Sequence, residues 1–236
     1  MTILKKIREI ILDTETTGLS WENGDRIVEI GCVELINHIP TGNTYQVYIN
    51  PKKLMTKESS SITGLTDEFL KDKPLFSEIA DDFLNFIGDG TLVIHNAPFD
   101  IGFLNSELDR LGKTKFNLED AIDTLEIARR KFPGSLINLD ALCRRFGIDT
   151  SSREKHGALI DCYLLAEVYI QLLGGKQSGL QFSDNEDIIT NTKDPINKKQ
   201  NREKRTFAPS EEELIAHREF LKTMESPIWN KVINKG

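Results

Sequence analysis

The spacing of apolar and polar positions changes twice along the 236-residue chain. In the first fifty residues the apolar positions come in β-branched blocks, "REIILD" at 8–13, "RIVEIGCVELI" at 26–36 and "TYQVYIN" at 44–50. In the last block Tyr45, Val47 and Ile49 alternate with Gln46 and Tyr48, the two-residue period of a strand with one wet face. Gly24-Asp25 and Thr41-Gly42-Asn43 carry turn chemistry between the blocks, so an antiparallel meander is predicted. Helical spacing then takes over: in "LFSEIADDFLNFIG" (75–88), Phe76, Ile79, Phe83 and Phe86 or Ile87 share a face. A short strand is predicted at 91–96 and a helix at 99–111, with Pro98 suited to its first turn. A fifth short strand near 120–123 precedes helices at 124–132, 138–146 and 157–173. This succession predicts an α/β fold, a mixed sheet covered by helices.

After Gly174-Gly175 the pattern lapses. "KQSGLQFSDNEDIITNTKDPINKKQNREKR" is polar, charge-rich and short of apolar anchors, a linker by composition. From Ser210 periodicity resumes: "SEEE" fits a capping box, and Leu214, His217, Leu221 and Met224 fall along one helical face before Pro227 and Trp229. The chain thus divides into a domain at 1–175, a flexible linker at 176–208 and a C-terminal segment at 209–236 ending in a short helix.

Composition narrows the classes. Hydrophobic residues at 39% and charged residues at 28% are those of a domain with a proper core. A net charge of −7 argues against nucleic-acid binding by counterion release alone, while leaving nucleic acid open as a substrate held locally and delivered by a partner. No run of some 18 apolar residues suggests a membrane span, and "MTILKKIREIILDTE" is too charged for a signal peptide, so a cytoplasmic protein is expected. Cys32, Cys143 and Cys162 are scattered, without CxxC spacing, as reduced cysteines with packing roles would be.

The candidate chemistry lies in a few carboxylates. Asp13 and Glu15, at the tip of the first strand, point to one side while Thr14 points away. Like charges so close repel unless a cation or a shared proton intervenes. Asp100 falls in the first turn of a helix, straight after a strand. Asp161 precedes Leu164, Leu165, Val168 and Leu172 on a core-facing stripe, where a lone carboxylate is costly unless hydrogen-bonded, protonated or metal-bound. His156 lies five residues earlier, about 140° round a helix. With Gly157 between, it belongs in the preceding loop, a sensible place for a proton acceptor. Singly, each has an ordinary reading: a turn former, a solvated acid, a helix-start acid, a loop histidine.

The stretches "DTETTGL", "HNAPFD" and "HGALIDCYLLAEVY", in that order, resemble the three motifs of the DEDDh 3′→5′ exonucleases. "ITGLTDEFLKDKPLF" and "NLDALCRRFGID" extend the likeness, which is greatest to the epsilon branch, the proofreading subunits of bacterial DNA polymerase III. The resemblance implies a ribonuclease H-like fold with a five-stranded mixed sheet flanked by helices. It implies that Asp13, Glu15, Asp100 and Asp161 hold two divalent cations, Mg²⁺ or Mn²⁺, about 4 Å apart. Asp13 would bridge both, Glu15 and Asp161 serve the first, Asp100 the second, and His156 would be the general base. Substrate contacts implied are Asp13, Glu15, Asp161, Glu58 and Thr63, although close relatives often carry histidine at the last position. Asn96 and Phe99 are candidate cleft residues, Phe99 equally a packing residue. Asp123 reads as a helix cap, His95 as structural, and His38 and His217 have no catalytic company. "QSGLQF", with Gln177, Leu180 and Phe182, resembles the motif that docks replication proteins on the sliding clamp. Segment 209–236 would bind the polymerase catalytic (alpha) subunit. The implied activity is removal of 3′-terminal nucleotides from a single-stranded or frayed DNA end. The alternatives are a DEDDh ribonuclease trimming RNA 3′ ends and a non-catalytic clamp–polymerase adaptor.

Overall fold

The computed structural model describes residues 6–151, 155–175 and 209–224. Its centre is β1 (Arg8–Thr16), antiparallel to β2 (Ile27–Ile36), which is antiparallel to β3 (Ile39–Tyr48). On the other side β4 (Thr91–Ile94) runs parallel to β1, and β5 (Ile122–Asp123) parallel to β4. The order β3-β2-β1-β4-β5 is the five-stranded mixed sheet expected.

Alternation along β1 sorts the two faces. Ile10 and Leu12 point to α3 (Phe76–Ile87) and α4 (Ala97–Arg110), in a core with Phe76, Phe83, Phe103 and Leu104. Ile11, Val33 and Leu35 point the other way, onto Cys162, Leu165 and Tyr169 of α7 (Ala158–Leu172). Behind α7, a further layer from α5 (Thr124–Lys131) and α6 (Leu139–Phe146) covers Leu164, Val168 and Leu172 with Ala128, Leu142 and Cys143. Helix α7 is therefore apolar on two sides. Each such side chain contributes about 1.5–3 kcal/mol on full burial. The three cysteines are buried free thiols.

The seating of α7 on the sheet depends on Gly31. A Cβ there would lie 2.4 Å from the Ala158 carbonyl carbon and 2.4 Å from the Leu159 nitrogen, both backbone. The Cys162 thiol donates to the Gly31 carbonyl at 3.1 Å, so the first turns of α7 rest directly on β2.

Two local features differ from the sequence expectation. The hairpin turn is not Thr41-Gly42-Asn43. It is Asn37-His38, with φ of 50° and 64°, the left-handed pair of a two-residue hairpin. Residues 41–43 form a bulge inside β3, since Val33 pairs with Thr44 while Leu35 pairs with Pro40. Glu34 anchors that bulge, accepting from Thr41 Oγ1 at 2.7 Å and Asn43 Nδ2 at 2.8 Å. The stretch after β3, whose sequence shows no clear period, forms α1 (Lys57–Thr63) and α2 (Asp67–Leu70), started by caps at Thr56 and Thr66.

The chain divides into two units, 1–182 and 183–236. In the second, α8 (Glu211–Lys222) begins with the expected reciprocal cap between Ser210 and Glu213. Linker 176–208, with Gln177, Leu180 and Phe182, lies outside the described residues, as does Trp229. Among the described residues no helix is long and apolar enough to cross a membrane.

Gly31→Ala should lower stability by about 1–3 kcal/mol, the usual cost of overpacking. Urea denaturation checks this; an unchanged midpoint would contradict the tight seating of α7.

Candidate active site

The end of β1 carries its acids on the α7 face. Asp13 and Glu15 continue the side of Ile11, and Thr14 continues the side of Leu12, toward α4. Across the ladder Asp13 stands opposite Gly31 and Glu15 opposite Glu29. The bare backbone of Gly31 thus lets α7 come down beside Asp13.

Helix α7 starts after Gly157, an extended N-cap, and places buried Asp161 in its first turn. His156 sits just before it, as expected for a loop residue, with Nδ1 3.4 Å from Asp161 Oδ2. The backbone N–H of His156 donates to the Ile62 carbonyl at 3.2 Å, tying this loop to α1. Glu15, His156 and Asp161 offer ligand atoms that all lie within 4.8 Å of one another.

Asp100 approaches from the opposite face. It is 3% exposed, and its Oδ1 accepts from the Thr14 N–H at 3.0 Å and the Thr14 hydroxyl at 2.7 Å. Helix α4 is launched by Asn96 in the left-handed region, φ 74°, followed by Pro98 in the first turn. The Asn96 N–H donates to Asp123 Oδ1 at 3.1 Å, and the same oxygen caps α5 by accepting from the Leu125 N–H at 2.8 Å. His95 Nδ1 is 2.9 Å from the Thr124 hydroxyl, and burial lowers its pKa. His95 is therefore a stitch between β4 and α5, and Asp123 a cap, as expected.

Electrostatics mark the cluster as unrelieved. Burial pushes the Asp13 carboxyl well above the usual range, and Asp100, Glu15, Asp161 and Glu29 add to the rise in that order. Burial pushes Asp100 up to about 7, against the downward pull of its Thr14 hydrogen bonds. Buried Glu29 is also raised, by burial first, although Gln46 Nε2 donates to it at 2.8 Å and the Ala158 N–H at 3.3 Å. Cys32 and Cys162, buried below, are held protonated by that burial and by Asp13, so they are not soft ligands. Carboxylate oxygens crowded against one imidazole suit a hard divalent cation, whose charge would relieve the repulsion.

The positions implied by family resemblance divide. Asp13, Glu15, Asp100, Asp161 and His156 meet at one sheet end, Asp13 and Asp100 adjoining the tight group of three. Glu58 stands exposed in the first turn of α1. Thr63 is buried, and its hydroxyl closes its own helix, donating to the Ser59 carbonyl at 2.9 Å and accepting from the Leu65 N–H at 3.1 Å. It does line, with His156, a cavity of about 390 Å³. Phe99 packs on Phe103, ring centroids 4.9 Å apart, while Asn96 is exposed. His38, in the β2–β3 hairpin, lies 2.8 Å from Oε2 of Glu9 near the start of β1, at the other end of the strand from Asp13 and Glu15.

Sequence reasoning missed Thr14, Glu29 and Gly31. Glu29 left a usable signal, an acid inside the apolar run "RIVEIGCVEL". Pairing that run with β1 would have set it beside Glu15.

Comparison with known proteins agrees with this geometry. Residues 10–169 match the exonuclease family model. The DNA polymerase III subunit epsilon of Rickettsia conorii is 52% identical over 222 residues, covering 92% of this chain and 96% of that protein. The same subunit of Haemophilus influenzae is 41% identical over 243 residues, covering 96% and 94%. The fold is similar to the nuclease domain of 3′hExo, a DEDDh family member bound to rAMP, with a TM-score of 0.62 at 20% identity, covering 72% of this chain and 92% of that one.

Between the ordinary carboxylate pKa and about 7, folded Asp100 keeps a proton that the unfolded chain has released, so stability falls as pH rises through that window. Asp100→Asn removes this titration and keeps an oxygen for Thr14. In metal-free buffer, the variant should gain on the parent by on the order of 1–3 kcal/mol between pH 5 and 8. Urea midpoints check this; a gap that does not change with pH would contradict the rise that burial gives Asp100.

Proposed function

The chain belongs to the exonuclease family, and its relatives along 92% of its length are DNA polymerase III epsilon subunits; on that footing we propose that it is the 3′→5′ proofreading exonuclease of a replicative DNA polymerase. It hydrolyses the 3′-terminal phosphodiester of a single-stranded or frayed DNA end and releases nucleoside 5′-monophosphates. The observation that carries this is the convergence of Glu15, His156 and Asp161 within 4.8 Å, with Asp13 beside them.

Asp13, Glu15, Asp100 and Asp161 are the residues that would hold divalent cations, two of them, Mg²⁺ or Mn²⁺. Such cations supply the positive charge that lets a phosphodiester approach these acids and that steadies charge developing on its oxygens. The chain's own residues do the rest. Asp161, 3.4 Å from His156 Nδ1, orients the ring and keeps the proton on that nitrogen. Nε2 is then the acceptor that takes a proton from the attacking water. The Ile62 carbonyl restrains the histidine loop, and Thr14 holds Asp100 by two hydrogen bonds. Glu58 and Thr63 flank the terminal nucleotide from α1, Thr63 through its surface, because its hydroxyl is engaged.

The relatives' match covers more than residues 1–175 alone could supply, which supports a role for the C-terminal region. Residues 209–236 dock on the polymerase catalytic subunit, and Gln177, Leu180 and Phe182 dock on the sliding clamp. Two weak contacts on one chain raise the effective concentration of the enzyme at a primer end. That offsets the poor grip of a protein of charge −7 on DNA. RNA trimming and a purely adaptor role are not favoured. The relatives are polymerase subunits, and an adaptor needs no crowded acids.

His156→Ala should lower kcat on a mispaired primer–template by about 10²–10⁴-fold. Asp13→Asn and EDTA should each abolish digestion; variants that digest like the parent would refute these roles. Joint Gln177→Ala and Phe182→Ala substitution should reduce capture by immobilised clamp while leaving single-strand digestion unchanged, and undiminished capture would refute the docking motif.

A further inference from the structure

We propose that Glu15, His156 and Asp161 form a zinc site that silences the enzyme, the ion binding Nδ1 of the histidine and one oxygen of each acid. The binding half stands on geometry and donor chemistry. The silencing half rests on the exonuclease reading above, in which His156 is the proton acceptor.

The tight group is not the set assigned to the catalytic cations. Among the described residues, it is the one trio of histidine, cysteine or carboxylate side chains whose ligand atoms lie within 4.8 Å of one another. It includes a ring nitrogen, and neither Asp13 nor Asp100 belongs to it. Each member comes from a separate element: Glu15 from the end of β1, Asp161 from the first turn of α7, and His156 from the loop before that helix. His156 Nδ1 and Asp161 Oδ2 are 3.4 Å apart. That is the edge of a tetrahedron around an ion whose bonds are roughly 2.0–2.2 Å long, the lengths zinc takes with imidazole and carboxylate. Glu15 is half-buried and His156 exposed, so both have room to close on buried Asp161. A cavity of about 390 Å³ beside His156 gives the ion a way in.

Donor type then selects the ion. Two carboxylates and a neutral imidazole cancel the charge of one dication. Imidazole suits zinc, whereas Mg²⁺ and Mn²⁺ favour oxygen and leave the histidine to the reaction. Cys32 and Cys162, the softer donors of this region, are buried and held protonated. Zinc has a further consequence for the ring. A neutral imidazole carries one proton and one nitrogen lone pair that accepts. Zinc on Nδ1 uses the lone pair there, so the ring's proton passes through solvent to Nε2. That is the atom which must accept a proton from the attacking water. The zinc form therefore keeps its histidine neutral but removes its capacity as a base.

The test uses the full chain stripped of metal. Zinc affinity, read by competition with a chromophoric chelator, should fall in His156→Ala by about tenfold or more, the usual cost of losing even a supporting group at a metal site. Mn²⁺ uptake by the same variant should match the parent, which also shows that the variant is folded. In the nitrogen-15 spectrum of the parent, Zn²⁺ should convert one of the four histidines to the form with metal on Nδ1 and hydrogen on Nε2. The converted signal should be the one absent from His156→Ala. With Mg²⁺ in excess, Zn²⁺ sufficient to fill the site should lower kcat on a single-stranded oligonucleotide by about 10²-fold. Unchanged zinc affinity in the variant, an equal loss of Zn²⁺ and Mn²⁺, zinc on Nε2, or full activity of the zinc-loaded enzyme would overturn the proposal. Failure of the parent to release mononucleotide with Mg²⁺ alone would instead overturn the exonuclease reading, while the zinc affinities still decide the site.

Discussion

Repulsion among like charges is the constraint around which the structure is arranged. Asp13, Glu15, Asp100 and Asp161 are brought to one sheet end; burial raises the proton affinity of Asp13 and Asp100, and at Asp13 repulsion from Asp100, Glu15 and Asp161 adds to the rise. Such an arrangement opposes folding. It persists because the apolar layers on both faces of the sheet, and behind α7, are extensive enough to carry it. The strain has a chemical use, since a site short of positive charge is one that divalent cations complete.

The scaffold controls each acid through a separate element. Strand β1 sets Asp13 and Glu15 by alternation. Helix α4 sets Asp100 and is fastened back to β1 through Thr14. Helix α7 sets Asp161, and its height is governed by the missing side chain at Gly31 and the Glu29 bond to the Ala158 N–H. The histidine comes from a loop, restrained by α1 but outside any helix. In the role proposed for it, as proton acceptor, the histidine can adjust there to a substrate, while the acids stay on rigid elements.

Much of this was legible in the residues. Strands and helices with strong periodicity, such as 75–88 and 157–173, needed no more than their own spacing, and the acids stood out because they interrupt apolar patterns. The hairpin at Asn37-His38 was missed because its left-handed pair contains no glycine, while Gly42 nearby carries the stronger turn signal but occupies a bulge. Helices α1 and α2 are too short for periodicity to show, and only their threonine caps announce them. Glu29 shows in the sequence as an acid inside an apolar run, but the role of Gly31 depends on helix docking, a contact with Ala158 more than a hundred residues on in the chain, and no local pattern encodes it. Thr63 illustrates the converse: the motif position is clear, but only coordinates reveal that its hydroxyl is already engaged.

The most direct test counts manganese. Electron paramagnetic resonance reports free Mn²⁺ as it is added to the purified protein. Convergent carboxylates should remove the ion from solution, and Asp13→Asn should leave more of it free. Identical free Mn²⁺ for the two proteins across the titration would mean that these acids do not form a common cation site.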